Sequence, residues 1–277
     1  MFGIVGLGAV GTLLAYFLNS AGHVPYAVVR GGGGGRTLRW GGEHVVRVRL
    51  VEALPPEVKY ALVAVKAYDT EGALPKVRGF PVVFQNGVGG LELVKERLGV
   101  GAGAVLTYGV WRRGSVVEVA GVGEVILPEE AGEVGDALRR GGANVRIVKD
   151  VEPYRWLKLA VNAGINPVTA LLRAKNGVVL ENRHAAELAA SAAREAAEVA
   201  TLRGVALPAD PVEELFRVAA ATRDNRSSML QDLLECRRTE VDYINGAVAK
   251  YGKALGAAAP VNETLWRLVK AAEGTCP

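Results

Sequence analysis

Phe2-Gly3-Ile4-Val5-Gly6-Leu7-Gly8-Ala9-Val10-Gly11 carries the strongest fold signal in the first half of the chain. Phe2 to Val5 has the pattern of a short buried strand, and an apolar helical pattern runs from the glycines to Asn19. Val24 to Val29 predicts a second strand. Between strand and helix the glycines follow G-x-G-x-x-G, the fingerprint of a dinucleotide site in its required context. Gly6 makes the tight turn, Gly8 lets a pyrophosphate approach the backbone, and Gly11 lets the helix lie close to the strand. Leu7, Ala9 and Val10 complete the loop, and the helix start offers its N–H groups and positive dipole end to phosphate. With 35 glycines in the chain the motif alone is weak; its place between strand and helix makes it specific.

Outward from this loop, residues 1–29 contain no Lys, Arg, Asp or Glu. A signal peptide or membrane segment would need a basic leader and an unbroken apolar run, and the glycines and the Asn19-Ser20-Ala21-Gly22 turn interrupt this one. The run reads as buried strand–helix–strand, so no membrane partner is expected and the protein is expected to be cytoplasmic. The second strand ends at Arg30, where an NAD-specific site would carry a carboxylate for the ribose 2′-hydroxyl. A cation there accepts a 2′-phosphate, which favours NADP(H) and leaves NAD(H) as the alternative; the bland reading is a solvent-facing arginine. Gly31 to Gly35 reads as a mobile loop beside that site, with Arg36 as a second candidate for the phosphate.

Residues 45–51 alternate as on one half-exposed strand, and Tyr60–Val65 and Pro81–Phe84 read as buried strands. The last two end in Lys66-Ala67-Tyr68 and Gln85-Asn86-Gly87, at the carboxyl ends where ligands gather in an open α/β sheet. Lys66 suits phosphate or ribose, and Asn86 suits ribose or nicotinamide, although Asn-Gly alone is an ordinary turn. Strands are predicted at 104–108, 115–119, 123–127 and 144–148, with a helix near 129–140. From Pro153 strand patterning stops, and helices are predicted near 154–172, 178–203, 211–223, 228–236, 240–255 and 261–273. The fold class is therefore α/β, with a Rossmann-type dinucleotide-binding domain over 1–152. An all-helical substrate-binding and catalytic domain covers 153–277, with a cleft expected between the two.

The helical half is organised on Tyr154 to Leu172, YRWLKLAVNAGINPVTALL. Lys158, Asn162 and Asn166 recur at i, i+4 and i+8, which stacks them on one face over roughly 12 Å. An ammonium and two amides in an apolar helix are costly to bury without partners, so the stripe reads as a site lining. A water-facing stripe is the alternative. Pro167 implies that the helix kinks or stops. Lys158 is the catalytic candidate, able to give a proton to a carbonyl oxygen as hydride reaches the carbon. Asn225-Arg226-Ser227-Ser228 precedes a helix; its hydroxyls and N–H groups fit either an N-cap or a carboxylate pocket. Glu240 stands inside Thr239-x-x-Asp242, which has the form of a capping box, or else orients Lys158.

Net charge is +4, and the basic residues never cluster beyond pairs, so no nucleic-acid partner is expected. Cys236 and Cys276 form neither a disulfide framework nor a metal site, and Cys236 reads as a core residue. No residue is assigned to a metal, and no His has ligand spacing. Gln, Met and Cys each occur twice, which points toward a heat-adapted source. The Ala-rich helix over 185–202 offers a contact for a homodimer.

Trp156 to Ala170 (WLKLAVNAGINPVTA), Asn225 to Asp232 (NRSSMLQD) and Arg238 to Gly246 (RTEVDYING) resemble the ketopantoate reductase family. GLGAVG, Val65–Tyr68 and Gln85–Gly89 agree, so the resemblance spans nearly the whole chain. It implies NADPH-dependent reduction of a small 2-oxo acid, 2-dehydropantoate, to (R)-pantoate on the route to pantothenate and coenzyme A. It further implies Lys158 as proton donor, with Asn162, Asn166, Asn176 and Asn225 to Ser228 around the substrate. Asn86 would touch both ligands, Lys66 and the backbone near Val110 the cofactor, and Glu240 the cofactor ribose or the substrate. A related dehydrogenase for another 2-oxo or hydroxy acid, and a dinucleotide-binding regulator without turnover, are the competing readings.

Overall fold

The computed structural model describes residues 1–30 and 35–275; the Gly31–Gly34 part of the glycine run lies outside them. The chain divides into two compact units, Met1–Gln85 with Gly90–Val151, and Asn86–Gly89 with Glu152–Pro277.

The first unit carries β1 (Phe2–Val5), α1 (Ala9–Ser20), β2 (Tyr26–Val28), β3 (Arg36–Arg39), β4 (Glu43–Val46) and β5 (Arg49–Val51). It continues with β6 (Tyr60–Val63), α2 (Thr70–Ala73), β7 (Phe80–Val83), α3 (Gly90–Leu98), β8 (Ala102–Gly103) and β9 (Val105–Leu106). β10 (Gly109–Arg113), β11 (Val116–Gly121), β12 (Val125–Pro128), α4 (Gly132–Arg140) and β13 (Val145–Val148) complete it. The main sheet is parallel, in the order β5-β2-β1-β6-β7-β8. This is the Rossmann order, and β1 stands where it reverses, between β2 and β6. Ligands of such sheets bind at the carboxyl ends of strands beside that point, which is where the glycine loop follows β1.

The strand read over 45–51 is two strands in two sheets: β4 belongs to the four-stranded sheet β10-β11-β3-β4, and β5 edges the main one. The break sits at Arg47, whose N–H donates to Asn19 Oδ1 at 2.7 Å and whose carbonyl accepts from Asn19 Nδ2 at 2.9 Å. One side chain thus replaces the ladder where the chain changes sheets, a pairing that alternation cannot reveal. β3 and β10, both short and rich in arginine, were not anticipated.

The second unit is all helical: α5 (Glu152–Leu171), α6 (Val178–Glu181), α7 (Arg183–Leu202), α8 (Pro211–Ala221), α9 (Ser228–Leu234), α10 (Asn245–Ala254) and α11 (Pro260–Gly274). α5 is its axis, with Trp156, Leu159, Ala160, Ala163 and Ile165 buried in one core. α7 lies close against it because the residues at the crossing are small. A methyl group on Gly164 would stand 2.5 Å from the Ala189 carbonyl oxygen. Ala185, Ala189, Ala192, Ala193 and Ala196 are buried, so the alanine face expected to serve a homodimer is the inner face of α7. The helix predicted over 178–203 is divided at Asn182, whose Oδ1 caps α7 by accepting from His184 and Ala185 N–H groups.

Pro167 neither ends nor interrupts α5. Proline lacks the N–H that would reach the carbonyl four residues back, here that of Ala163. Asn245 Nδ2 donates to that carbonyl instead, at 2.9 Å. A residue 82 positions away therefore supplies the missing bond. Cys236 is exposed rather than in the core, at φ 50° in the turn after α9. It is disulfide-bonded; the only other cysteine of the sequence, Cys276, lies outside the described residues.

Candidate active site

In the first unit the glycine loop leaves an open, uncapped helix start. Gly6 has φ 99°, a conformation that favours glycine, and its N–H donates to the Val28 carbonyl at 3.0 Å. A methyl on Gly11 would lie 2.0 Å from the Gly6 carbonyl oxygen, so α1 can start this close to β1 only with glycine there. Gly8 is different: a methyl there meets nothing within 4 Å. The backbone at Gly8 faces open space, and no side chain caps the first turn of α1. Ala9 and Val10 begin that turn, so the loop fits an anionic diphosphate.

Arg30 is ion-paired with both oxygens of Asp69, while 73% of its side chain stays exposed. Arg36 Nε donates to the carbonyl of Leu7 at 3.0 Å, inside the glycine loop. Burial, and then the nearby Arg112 charge, hold the Arg36 guanidinium below its usual pKa. Arg36, with Arg112 near it, thus brings positive charge to the loop, whereas the Arg30 charge is met by Asp69; Arg112 was not anticipated. Lys66, half-buried, follows β6 at the start of the turn Ala67–Asp69. Val110 pairs with Val119 beside an irregularity in β10 and packs its side chain on the core of this unit.

The second unit assembles the amine site. Lys158 Nζ donates to Asn86 Oδ1 at 2.9 Å, and Asn86 Nδ2 donates to Glu240 Oε2 at 3.2 Å. These residues are 72 and 154 positions apart in the chain. Asn86-Gly87 is more than a generic turn: Gly87, at φ 79°, lies so close to Tyr243 that a methyl would stand 2.1 Å from its carbonyl oxygen. Val88 N–H donates to that same carbonyl at 2.9 Å, which fixes Asn86 beside Glu240. Burial lowers the Lys158 pKa from 10.5 to about 8, with the Glu240 charge opposing the fall.

Further along the same face of α5, Asn162 is half-buried and Asn166 is 6% exposed. Neither side-chain amide has a hydrogen-bond partner among the described residues. Such amides in an apolar helix invite a polar ligand. The remaining candidates fall into two other groups. Ser227 caps α9, accepting from Leu230 N–H at 3.1 Å and from Thr169 Oγ1 at 2.8 Å, so its hydroxyl serves the fold and the N-cap reading holds. Arg226 and Ser228 on either side of it are exposed. Asn176 binds Thr222 Oγ1 through Nδ2 and the half-buried Asn225 through its backbone, and its buried Oδ1 has no partner among the described residues.

The capping box read at Thr239-x-x-Asp242 does not form. Thr239 N–H donates to Glu273 at 2.8 Å, and Asp242 instead accepts from Trp266, Arg238 and Lys270. The element started there is a single 3-10 turn, Val241–Tyr243. Among the described residues no cluster of His, Cys, Asp and Glu suits a metal ion, and no helix is long and apolar enough to cross a membrane.

Residues 2–132 match the family model described as ketopantoate reductase PanE/ApbA, and residues 150–273 match that of its C-terminal region. The chain is 50% identical to the 2-dehydropantoate 2-reductase of Pyrobaculum aerophilum over 277 residues, covering 100% of this chain and 99% of that one. Among solved structures it superposes on a PanE/ApbA family ketopantoate reductase from Ralstonia eutropha with a TM-score of 0.89, at 26% identity and 99% coverage of both chains. D-mandelate dehydrogenase with NADH and anilino(oxo)acetate shares the fold, with a TM-score of 0.88 at 22% identity and 99% coverage of both. A glycine-loop unit and a helical unit built on a lysine–asparagine–glutamate cluster are thus matched over nearly their whole length, and the chain belongs to the ketopantoate reductase PanE/ApbA family.

Proposed function

We propose that the protein is a 2-dehydropantoate 2-reductase, which reduces the 2-oxo group of 2-dehydropantoate to the (R)-hydroxyl with NADPH. The observation that carries the reading is Lys158, an amine poised near pH 8 on a helix face that also carries the partnerless amides of Asn162 and Asn166. A proton donor works best when its pKa lies near the working pH. At neutral pH Lys158 is charged and can still release its proton.

In this reading the N-terminal unit, residues 1–151 without Asn86–Gly89, holds the dinucleotide through Gly6, Leu7, Gly8, Ala9, Val10 and Gly11. The bound nicotinamide supplies the hydride. Asn86 aims the Lys158 ammonium, which stabilises the charge growing on the oxo oxygen and then transfers its proton to it. The balance is one hydride to carbon and one proton to oxygen, leaving Lys158 neutral until solvent restores it. Asn162, Asn166 and Asn176 orient the substrate, with Arg226 and Ser228 meeting its carboxylate. Ser227 holds that turn in place.

NADPH is favoured over NADH because Arg30, in place of the usual carboxylate after β2, would exchange Asp69 for a 2′-phosphate, and Arg36 stands beside the glycine loop. Loss of reduced-nicotinamide absorbance with 2-dehydropantoate, against a panel of other 2-oxo acids and with NADH in place of NADPH, tests the whole assignment. Oxidation of NADPH with 2-dehydropantoate is expected, with kcat declining above pH about 8 as Lys158 deprotonates. Binding of NADPH without its consumption by any 2-oxo acid would overturn it.

A further inference from the structure

The turn that presents Glu240 is gripped from α11. Thr239, with no exposed surface, donates from its backbone N–H and from Oγ1 to the same Glu273 oxygen, at 2.8 and 2.6 Å. Lys270 Nζ holds the other Glu273 oxygen at 2.6 Å and Asp242 at 3.3 Å. Trp266 Nε1 donates to Asp242 at 2.8 Å. Three residues of α11 therefore fasten residues 239–242, and Glu240 is the next residue after the doubly bonded Thr239. From the other side of the turn, Tyr243 holds Val88 and Glu240 holds Asn86, which in turn holds Lys158.

We propose that Glu273 is a positioning residue of the active site, keeping Glu240 and, through Asn86, Lys158 in register for proton transfer. This rests on the function proposed above. Two features favour it over simple packing. Both Glu273 oxygens are engaged, one by the two Thr239 donors and the other by Lys270, so this side chain fixes the turn rather than merely covering it. In addition, the grip falls on the residue adjoining Glu240, a carboxylate whose charge acts on Lys158. Facing Lys158 are that carboxylate and the Asn86 amide. Arg238, Asp242, Lys270 and Glu273 surround the far side of the turn.

Removing the grip should let Glu240 withdraw, and losing an opposite charge lowers the pKa of a lysine. The test uses the full chain with lysine labelled at Cε, the Lys158 signal being assigned by its absence in Lys158→Ala, together with kcat against pH. In Glu273→Ala the Lys158 titration and the descending limb of kcat should both move down by about one pH unit. At pH about 8 that means a several-fold loss of kcat, with little change in KM. Glu273→Gln, which keeps an acceptor for both Thr239 donors, should restore most of both. Where the alanine variant does not fold, Glu273→Asp carries the test, withdrawing the carboxylate by one methylene. An unmoved Lys158 titration in a folded Ala or Asp variant, or a loss of kcat equal at every pH, overturns the proposal. A shifted titration in a protein that leaves 2-dehydropantoate untouched would support the positioning role while refuting the assigned reaction.

Discussion

Replacing Lys158 by Met should stabilise the protein and abolish its turnover together. The amine would titrate at 10.5 in an unfolded chain and does so at about 8 in the folded protein, because burial outweighs the attraction of Glu240. That fall corresponds to about 3 kcal/mol by which folding disfavours the charged amine. Its sign with pH is definite. Below pH about 8 both states carry the proton and the whole penalty is present. Between about 8 and 10.5 the folded protein has released a proton that the unfolded chain retains, so stability rises with pH across this window. Above it the penalty is gone.

Methionine keeps the length of the aliphatic stem and carries no charge. Against its gain stands Asn86 Oδ1, which loses its donor at a cost of about 1 kcal/mol, with Glu240 losing its neighbouring cation. The expected net is a gain of about 2 kcal/mol at neutral pH, shrinking to nothing or reversing near pH 10.5. Urea unfolding followed by far-UV circular dichroism, for both proteins at several pH values, measures the difference while other titrating groups cancel. A variant less stable at neutral pH, or a difference that does not change with pH, would show that burial of the Lys158 charge carries no such penalty.

Three further outcomes are expected. Gly8→Ala should fold with unchanged Tm, because the new methyl meets no protein atom, and weaken NADPH binding by about tenfold if the proposed dinucleotide lies there. Gly11→Ala should cost about 1–3 kcal/mol in the apo protein, since its methyl meets the Gly6 carbonyl; equal Tm loss in both would count against the open helix start. Asn245→Leu should destabilise by about 1–3 kcal/mol by orphaning the Ala163 carbonyl, and adding Pro167→Ala should recover about 1 kcal/mol by restoring the helical bond. Strict additivity in that double-mutant cycle would dispose of the explanation. Arg30→Ala and Arg36→Ala should each narrow the ratio of NADH to NADPH Kd by several-fold, read by fluorescence titration, whereas a ratio unmoved in both would locate phosphate discrimination elsewhere.

The Rossmann-type first half, the helical second half and the Lys158–Asn162–Asn166 face were legible in the residues alone. Each of these is written in local spacing: glycines at fixed offsets after a strand, and polar residues one helical turn apart. The NRSSMLQD and RTEVDYING stretches carried the family in the same local way. Local spacing was also enough to start α9 at residue 228, behind a cap that Ser227 forms within three residues.

Tertiary structure alone decided the rest, because a buried donor or acceptor takes whatever partner packing brings to it. Asn19 closes the break at Arg47, so one predicted strand became two. Asn245 answers the carbonyl that Pro167 leaves open, so a helix expected to kink or stop continues. Thr239 turns to Glu273 rather than to Asp242, so the expected capping box is absent. Asn86 and Glu240 meet Lys158 from 72 and 82 residues away, held there because Gly87 can lie against Tyr243 as no other residue could. The amine was legible in the sequence; the two side chains that aim and charge it were brought to it by the packing of α5, α11 and the turn they hold.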